Sequence, residues 1–308
     1  MRTPNWSRFN AVIVTRHSDV TLYGKCAAFL AHIPYPRIVI KNPRPDEYMD
    51  RILGLTERND FESYDWIINV DDDAFLWNPA RLWALMAHME RTGHHYCGMS
   101  DGLTLTPREW GNPASMNPFF NVFHMSAIRE LVSDATSLVE AMQTKIPWTS
   151  LECNLRWCGS TVPTHQDLAR LPFHLEPFYP HFFKLLQMSK PLYLKGESYT
   201  CTAPITEEHI RLTDIPMAQK EGVLFADDPT TTILYDHEGA PFLYHTWYAR
   251  CYSEPGSIHK ARIDRVARAA EEAFRELLTV YGASTTRSRT SESPLSSSPS
   301  SWGCPSPR

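Results

Sequence analysis

The chain has 308 residues, 43% of them hydrophobic and 12% aromatic, which suits one large or two modest globular domains with a real core. Its 30 Lys and Arg against 35 Asp and Glu leave a formal net charge of -5, so no overall field favours nucleic acid or an anionic membrane surface. The opening MRTPNWSRFNAVIVTRH is too short in apolar residues for a signal peptide, and nowhere do about 18 apolar residues run together as a membrane span requires. A soluble, cytoplasmic, small-molecule enzyme is the expectation.

In chain order, NAVIVT (Asn10 to Thr15) is a β-branched run that predicts a strand, and VTLYGKCAAFLAHI after it has helical spacing. PRIVIKN predicts a second strand, PDEYMDRILGLTER a second helix with proline and acids in its first turn, and DWIINV a third strand. Asn78-Pro79 opens a helix over PARLWALMAHMERTG. HYCGM then predicts a strand, Ser100 to Asn117 a polar loop, and FFNVFHMSAIRELV a strand leading into a helix. Strands alternating with helices imply a parallel, right-handed α/β sheet.

From about Thr144 the pattern loosens into aromatic and proline-rich stretches with no secure periodicity. A late helix over SIHKARIDRVARAAEEAFRELLTVYG is clearer, with Ile263, Val266, Ala270, Phe274, Leu277 and Tyr281 on one face. Residues 283–308, rich in Ser and Pro, read as a disordered tail. The 7 cysteines form no CxxC pair, which points to reduced and mostly buried thiols.

YDWIINVDDDAFLWNP carries the chemistry. IINV reads as apolar on both faces, a central strand between helix layers, and in such sheets ligands bind beyond the carboxyl ends of the strands. If the extended geometry persists, Asp71 and Asp73 share a face while Asp72 points the other way. Two carboxylates about 5 Å apart repel by roughly 3 kcal/mol at an effective dielectric near 20, and a hard divalent cation, Mn²⁺ or Mg²⁺, offsets that cost. The competing reading is a solvated acidic turn before Pro79. A P-loop is rejected, because in DVTLYGKC an acid, Asp19, stands where the first glycine belongs and Cys26 where the hydroxyl belongs. An aspartyl phosphatase fits poorly, with Phe75 where a threonine or valine belongs.

The segment DWIINVDDDAFLWNP resembles the DxD segment of GT-A-fold glycosyltransferases of the VDDD type, and the preceding strand and helix order is similar to their nucleotide-binding half. The resemblance implies a GT-A (nucleotide-diphospho-sugar transferase) fold over residues 1–282, a mixed, mainly parallel sheet flanked by helices. Residues 10–131 would be the nucleotide-binding half and 132–282 the acceptor half. It implies Asp73 as a direct metal ligand, Asp71 on the metal or the ribose, and Asp72 near the sugar. Thr15 and Arg16 in VTRH match the nucleobase and ribose position, and His245 in FLYHTWYARCY is similar to the C-terminal metal ligand of such enzymes. Glu152 in LECNLRWCG matches the catalytic base of inverting members.

The activity implied is metal-dependent transfer of a sugar from a nucleotide diphosphate donor, a UDP-sugar, to an acceptor hydroxyl, with inversion if Glu152 is the base. The acceptor is a glycan or another hydroxyl compound. No nucleic acid or transmembrane segment is expected, and peripheral membrane association stays open. A sugar nucleotidyltransferase and a non-catalytic sugar- or partner-binding protein are the alternatives. Asp101 and Asn121 are polar candidates for the site wall, while Trp148, Trp157 and Tyr179 are candidates for stacking on a sugar.

Overall fold

The computed structural model describes residues 4–54, 60–101, 115–126, 128–129, 176–198 and 231–289. In chain order its main elements are β1 (Ala11–His17), α1 (Val20–Leu30), β2 (Arg37–Lys41), α2 (Pro45–Ile52), β3 (Trp66–Val70), β4 (Ala74–Phe75), α3 (Pro79–Thr92), β5 (Tyr96–Ser100), β6 (Met116–His124), α4 (Tyr179–Met188), β7 (Pro191–Leu194), β8 (Gly196–Ser198), β9 (Thr232–Tyr235), β10 (Pro241–His245) and α5 (Ile258–Arg289). Six strands form one sheet in the order β2-β1-β3-β6-β5-β7. Its pairs are parallel except where β6 meets β3 and β5.

The alternation of side chains along β1 explains the two layers. Ala11 and Ile13 face one core with Leu30, Leu82, Met86 and Met89, residues of α1 and α3. Val12 and Val14 face the other, with Tyr48 and Met49 of α2 and Phe182 and Leu186 of α4. Buried on both faces, such a strand reads as one continuous β-branched run. Among the described residues no helix is long and apolar enough to cross a membrane.

Helix starts follow local chemistry. Asp19 caps α1 by accepting from the backbone N–H groups of Thr21 and Leu22, at 2.8 and 2.9 Å. Gly24 and Lys25 of the DVTLYGKC stretch therefore lie inside a helix rather than in a phosphate loop. Pro79 takes the first position of α3, which ends at Gly93 in the left-handed conformation. The N–H of Asn78 donates to Phe242 at 3.2 Å, and this ties the start of α3 to β10.

The second sheet, β4-β10-β9-β8, is antiparallel throughout. Outside it lies α5, whose Ile263, Val266, Ala267 and Ala270 are buried with Leu22 and Phe29 of α1 and Tyr244 of β10. Ile263, Val266 and Ala270 of the predicted apolar stripe thus pack on the domain, with Phe274 partly buried beside them. The helix continues past Gly282 to Arg289, because extension of a nucleated helix costs little through Ala283 and Arg287 and no proline intervenes before Pro294. Residues 290–308 lie outside the described residues.

One close approach is testable. A Cβ on Gly98 of β5 would collide with Asn121 Nδ2 and lie 3.0 Å from the Phe120 carbonyl oxygen across the β5–β6 ladder, whereas a Cβ on Gly24 would meet nothing within 4 Å. Gly98→Ala is expected to destabilise by about 1–3 kcal/mol. Gly24→Ala is expected to stabilise by up to about 1 kcal/mol, and urea midpoints at unchanged m-value measure both.

Candidate metal centre

The acidic triplet sits where β3 leaves the sheet. Asp71 N donates to the Phe119 carbonyl of β6 at 2.8 Å, and Ala74 N donates back to the Asp71 carbonyl at 3.1 Å. The chain therefore turns at Asp71 to Ala74 instead of staying extended, and it is this turn that brings Asp71 and Asp73 together. Beneath it the Cys26 thiol points at the Asp71 and Ala74 carbonyls, 3.4 and 3.2 Å away. All three carboxylates are buried.

The second sheet delivers the third group. β10 pairs with β4 so that His245 stands opposite Ala74. Thr246 reinforces the pairing by donating to the Asp73 carbonyl from both its N–H, at 3.1 Å, and its hydroxyl, at 3.2 Å. His245 Nε2 then lies 3.2 Å from Asp73 Oδ1, and its ring is stacked on Phe119 at 4.0 Å and 5°. Trp247 packs against the same imidazole at 4.4 Å.

Asp71, Asp73 and His245 offer ligand atoms that all lie within 4.8 Å of one another. Asp71 Oδ1 is buried with no hydrogen-bond partner among the described residues. Two carboxylates and an imidazole in a buried pocket are an oxygen and nitrogen donor set able to hold a divalent cation. Unpaired buried polar atoms of this kind are otherwise costly, so the residues fit the group.

The electrostatics separate the three acids. Burial pushes the Asp71 carboxyl up to about 7; Arg16, ion-paired with it, opposes the rise, while Asp73 and Asp72 add to it. Asp72 is also raised by burial and by Asp73, against the hydrogen bonds it accepts. Asp73 is held below its ordinary value: burial pushes it up, but His245, Arg16 and Arg262 together override that push. Proximity of like charges at a buried site is what a bound cation would relieve.

The other sequence-predicted residues fall in different places. Arg16, at the carboxyl end of β1, is bound to Asp71 and is still partly exposed. Thr15 is buried within β1. Asp72 turns to the β1–α1 connection, where its Oδ2 accepts from Ser18 N at 2.6 Å, Ser18 Oγ at 2.7 Å and Asp19 N at 3.1 Å. Glu152, Trp148 and Trp157 lie outside the described residues.

Asp101, Asn121 and Tyr179 belong to one buried polar network beside the triplet. The Tyr48 hydroxyl donates to Asn69 Oδ1, and Asn69 Nδ2 donates to the Pro118 carbonyl at 2.5 Å and to Asn121 Oδ1 at 3.1 Å. Asn121 Nδ2 reaches the Asn117 carbonyl at 3.3 Å, the Asn117 side chain donates to Asp101, and the Tyr179 hydroxyl donates to Asp101 Oδ2 at 2.6 Å. Tyr179 is therefore a buried donor, not an exposed stacking ring. Asn69 corrects the reading of IINV as apolar on both faces: on its α2-facing side this strand carries a buried amide. A polar residue inside an otherwise apolar strand was the sequence signal for it.

No family model matches the chain, and no curated protein matches it. Among solved structures the chain is similar to A197 from STIV, at 11% identity over 41% of this chain and 69% of that one, with a TM-score of 0.29. That likeness is too small to place the chain in a family.

The raised Asp71 carboxyl gives a signed prediction. Between its unfolded value near 4 and its folded value of about 7 the native state binds the extra proton, so this group's contribution to stability falls as pH rises through that window. In metal-free buffer with chelator, Asp71→Asn should match wild type in melting temperature near pH 4 and exceed it at pH 8. Equal pH dependence of the two proteins would contradict the assignment.

Proposed function

We propose that this protein is a metal-dependent glycosyltransferase of GT-A type that moves a sugar from a nucleotide diphosphate donor, a UDP-sugar, to an acceptor hydroxyl. The observation that carries the reading is the convergence of Asp71, Asp73 and His245, from two sheets, at the carboxyl edge of a mixed, mainly parallel sheet. A mixed sheet with helices on both faces is compatible with the GT-A fold that the DWIINVDDDAFLWNP segment resembles.

The charge balance supports an anionic ligand. Three carboxylates, the Arg16 guanidinium and one divalent cation sum to zero, so a bound cation removes the repulsion that a diphosphate would otherwise meet. Held by Asp71, Asp73 and His245, Mn²⁺ or Mg²⁺ would supply Lewis-acid stabilisation of charge on the departing nucleoside diphosphate. Arg16 fixes one oxygen of Asp71 and leaves the other to the centre. Asp72 fastens the triplet to the β1–α1 connection, so the acids keep their place when charge changes. Glu152 takes the role of base toward the acceptor hydroxyl, which makes the transfer inverting.

A nucleotidyltransferase reading is disfavoured by the same β1–α1 connection. It consists of Ser18 and Asp19, engaged by Asp72 and in capping α1, with no glycine-rich phosphate loop.

Calorimetric titration of UDP with and without Mn²⁺ tests the proposal. Wild type should bind UDP at least about tenfold more tightly with Mn²⁺, and Asp73→Ala and His245→Ala should each remove that gain while unfolding cooperatively. Glu152→Gln should bind UDP as wild type does and lose sugar transfer. Metal-independent nucleotide binding, or none, would refute the reading.

A further inference from the structure

Among the described residues only Asn42, Trp247 and Tyr248 combine a side chain with positive φ, and the last two are consecutive, at 56° and 60°. They follow the candidate ligand His245 almost at once. Two bulky residues in the left-handed region are strained, and such strain persists only where the surroundings over-determine it.

The surroundings here are specific. Trp247 Nε1 donates to Thr232 Oγ1 at 2.8 Å, and the Tyr248 ring stacks on His259 of α5 at 4.5 Å. Arg262 of α5, 1% exposed, donates from Nη2 to the Trp247 carbonyl and from Nη1 to Thr231 Oγ1, both at 3.0 Å. Thr232 opens β9 opposite His245 at the end of β10, so the two prongs of one guanidinium grip both strands at the same end of their pairing. A planar fork holds both acceptors in one fixed geometry, which the single nitrogen of a flexible ammonium does not reproduce. The carbonyl it holds belongs to the residue whose indole packs on the His245 ring, the ring on which Phe119 also stacks.

We propose that Arg262 is a positioning residue of the metal centre: its grip on the Trp247 carbonyl and Thr231 hydroxyl keeps the left-handed Trp247–Tyr248 turn closed and the His245 imidazole directed at Asp71 and Asp73. The inference rests on the reading of these three residues as cation ligands. It makes α5, remote in sequence from the triplet, part of the apparatus that sets cation affinity.

The test is Mn²⁺ titration of the full chain, followed by electron paramagnetic resonance and calorimetry, with cooperative unfolding in chelator measured alongside. Arg262→Lys keeps the charge and loses the fork, and is expected to weaken Mn²⁺ binding by about tenfold or more. Adding Tyr248→Gly, which removes a side chain from a backbone conformation glycine tolerates, should restore a large part of that loss. A purely structural role for Arg262 would lower unfolding stability without such a rescue. Should Arg262→Lys not fold, Thr231→Val, lacking only the hydroxyl prong, is expected to weaken Mn²⁺ binding in the same direction. Tight Mn²⁺ binding by wild type with less than about threefold change in these variants, or weakening without rescue, overturns the inference while the metal centre stands. No Mn²⁺ binding by wild type overturns the metal centre itself.

Discussion

Three adjacent carboxylates buried at the end of one strand are the constraint that the rest of this structure answers. Each acid is met by a different device: Arg16 for Asp71, the backbone and hydroxyl of Ser18 for Asp72, and His245 for Asp73. Their environments differ enough that the first two are raised and the third lowered. Burial and the differing charges beside each acid drive these proton affinities apart, whereas acids of a turn left in water would stay near their ordinary values.

The polar network from Tyr48 to Tyr179 gives the site a rigid floor. It crosses β3, β6 and the end of β5, joining α2 to α4 across the sheet face they share. Buried networks of this kind are stabilising when satisfied and costly when broken, so they select one arrangement of the strands they connect. Phe119 is the hinge between floor and centre: its carbonyl holds Asp71, and its ring supports His245.

Much of this was legible in the sequence because it is local. The β-branched runs of β1, β2 and β3, the proline starts of α2 and α3 and the apolar stripe of α5 each declare themselves within a dozen residues. The triplet could be placed at a ligand edge from the strand before it. What was hidden depends on distant pairing. β4 is two residues long and has no periodicity of its own, and only its ladder with β10 explains why His245 belongs with Asp73. Asp72 also holds the β1–α1 connection, since its Oδ2 accepts from Ser18 54 residues away, a contact that spacing alone cannot reveal. Arg262 stands beside the buried stripe of α5, and only the fold shows that it holds the carbonyl of Trp247, two residues after His245.

The span of the β4–β10 contact has a consequence for how the molecule is made. Thr246 grips Asp73 across 173 residues of chain, so the acidic turn is synthesised long before the strand that carries the histidine. Contacts of such separation form late, because the loop between them must close first. On a ribosome the acidic turn therefore emerges without its imidazole, and the Asp73–His245 pair can form only once β10 has been made and has paired with β4. The three candidate ligands thus meet only after most of the described chain exists.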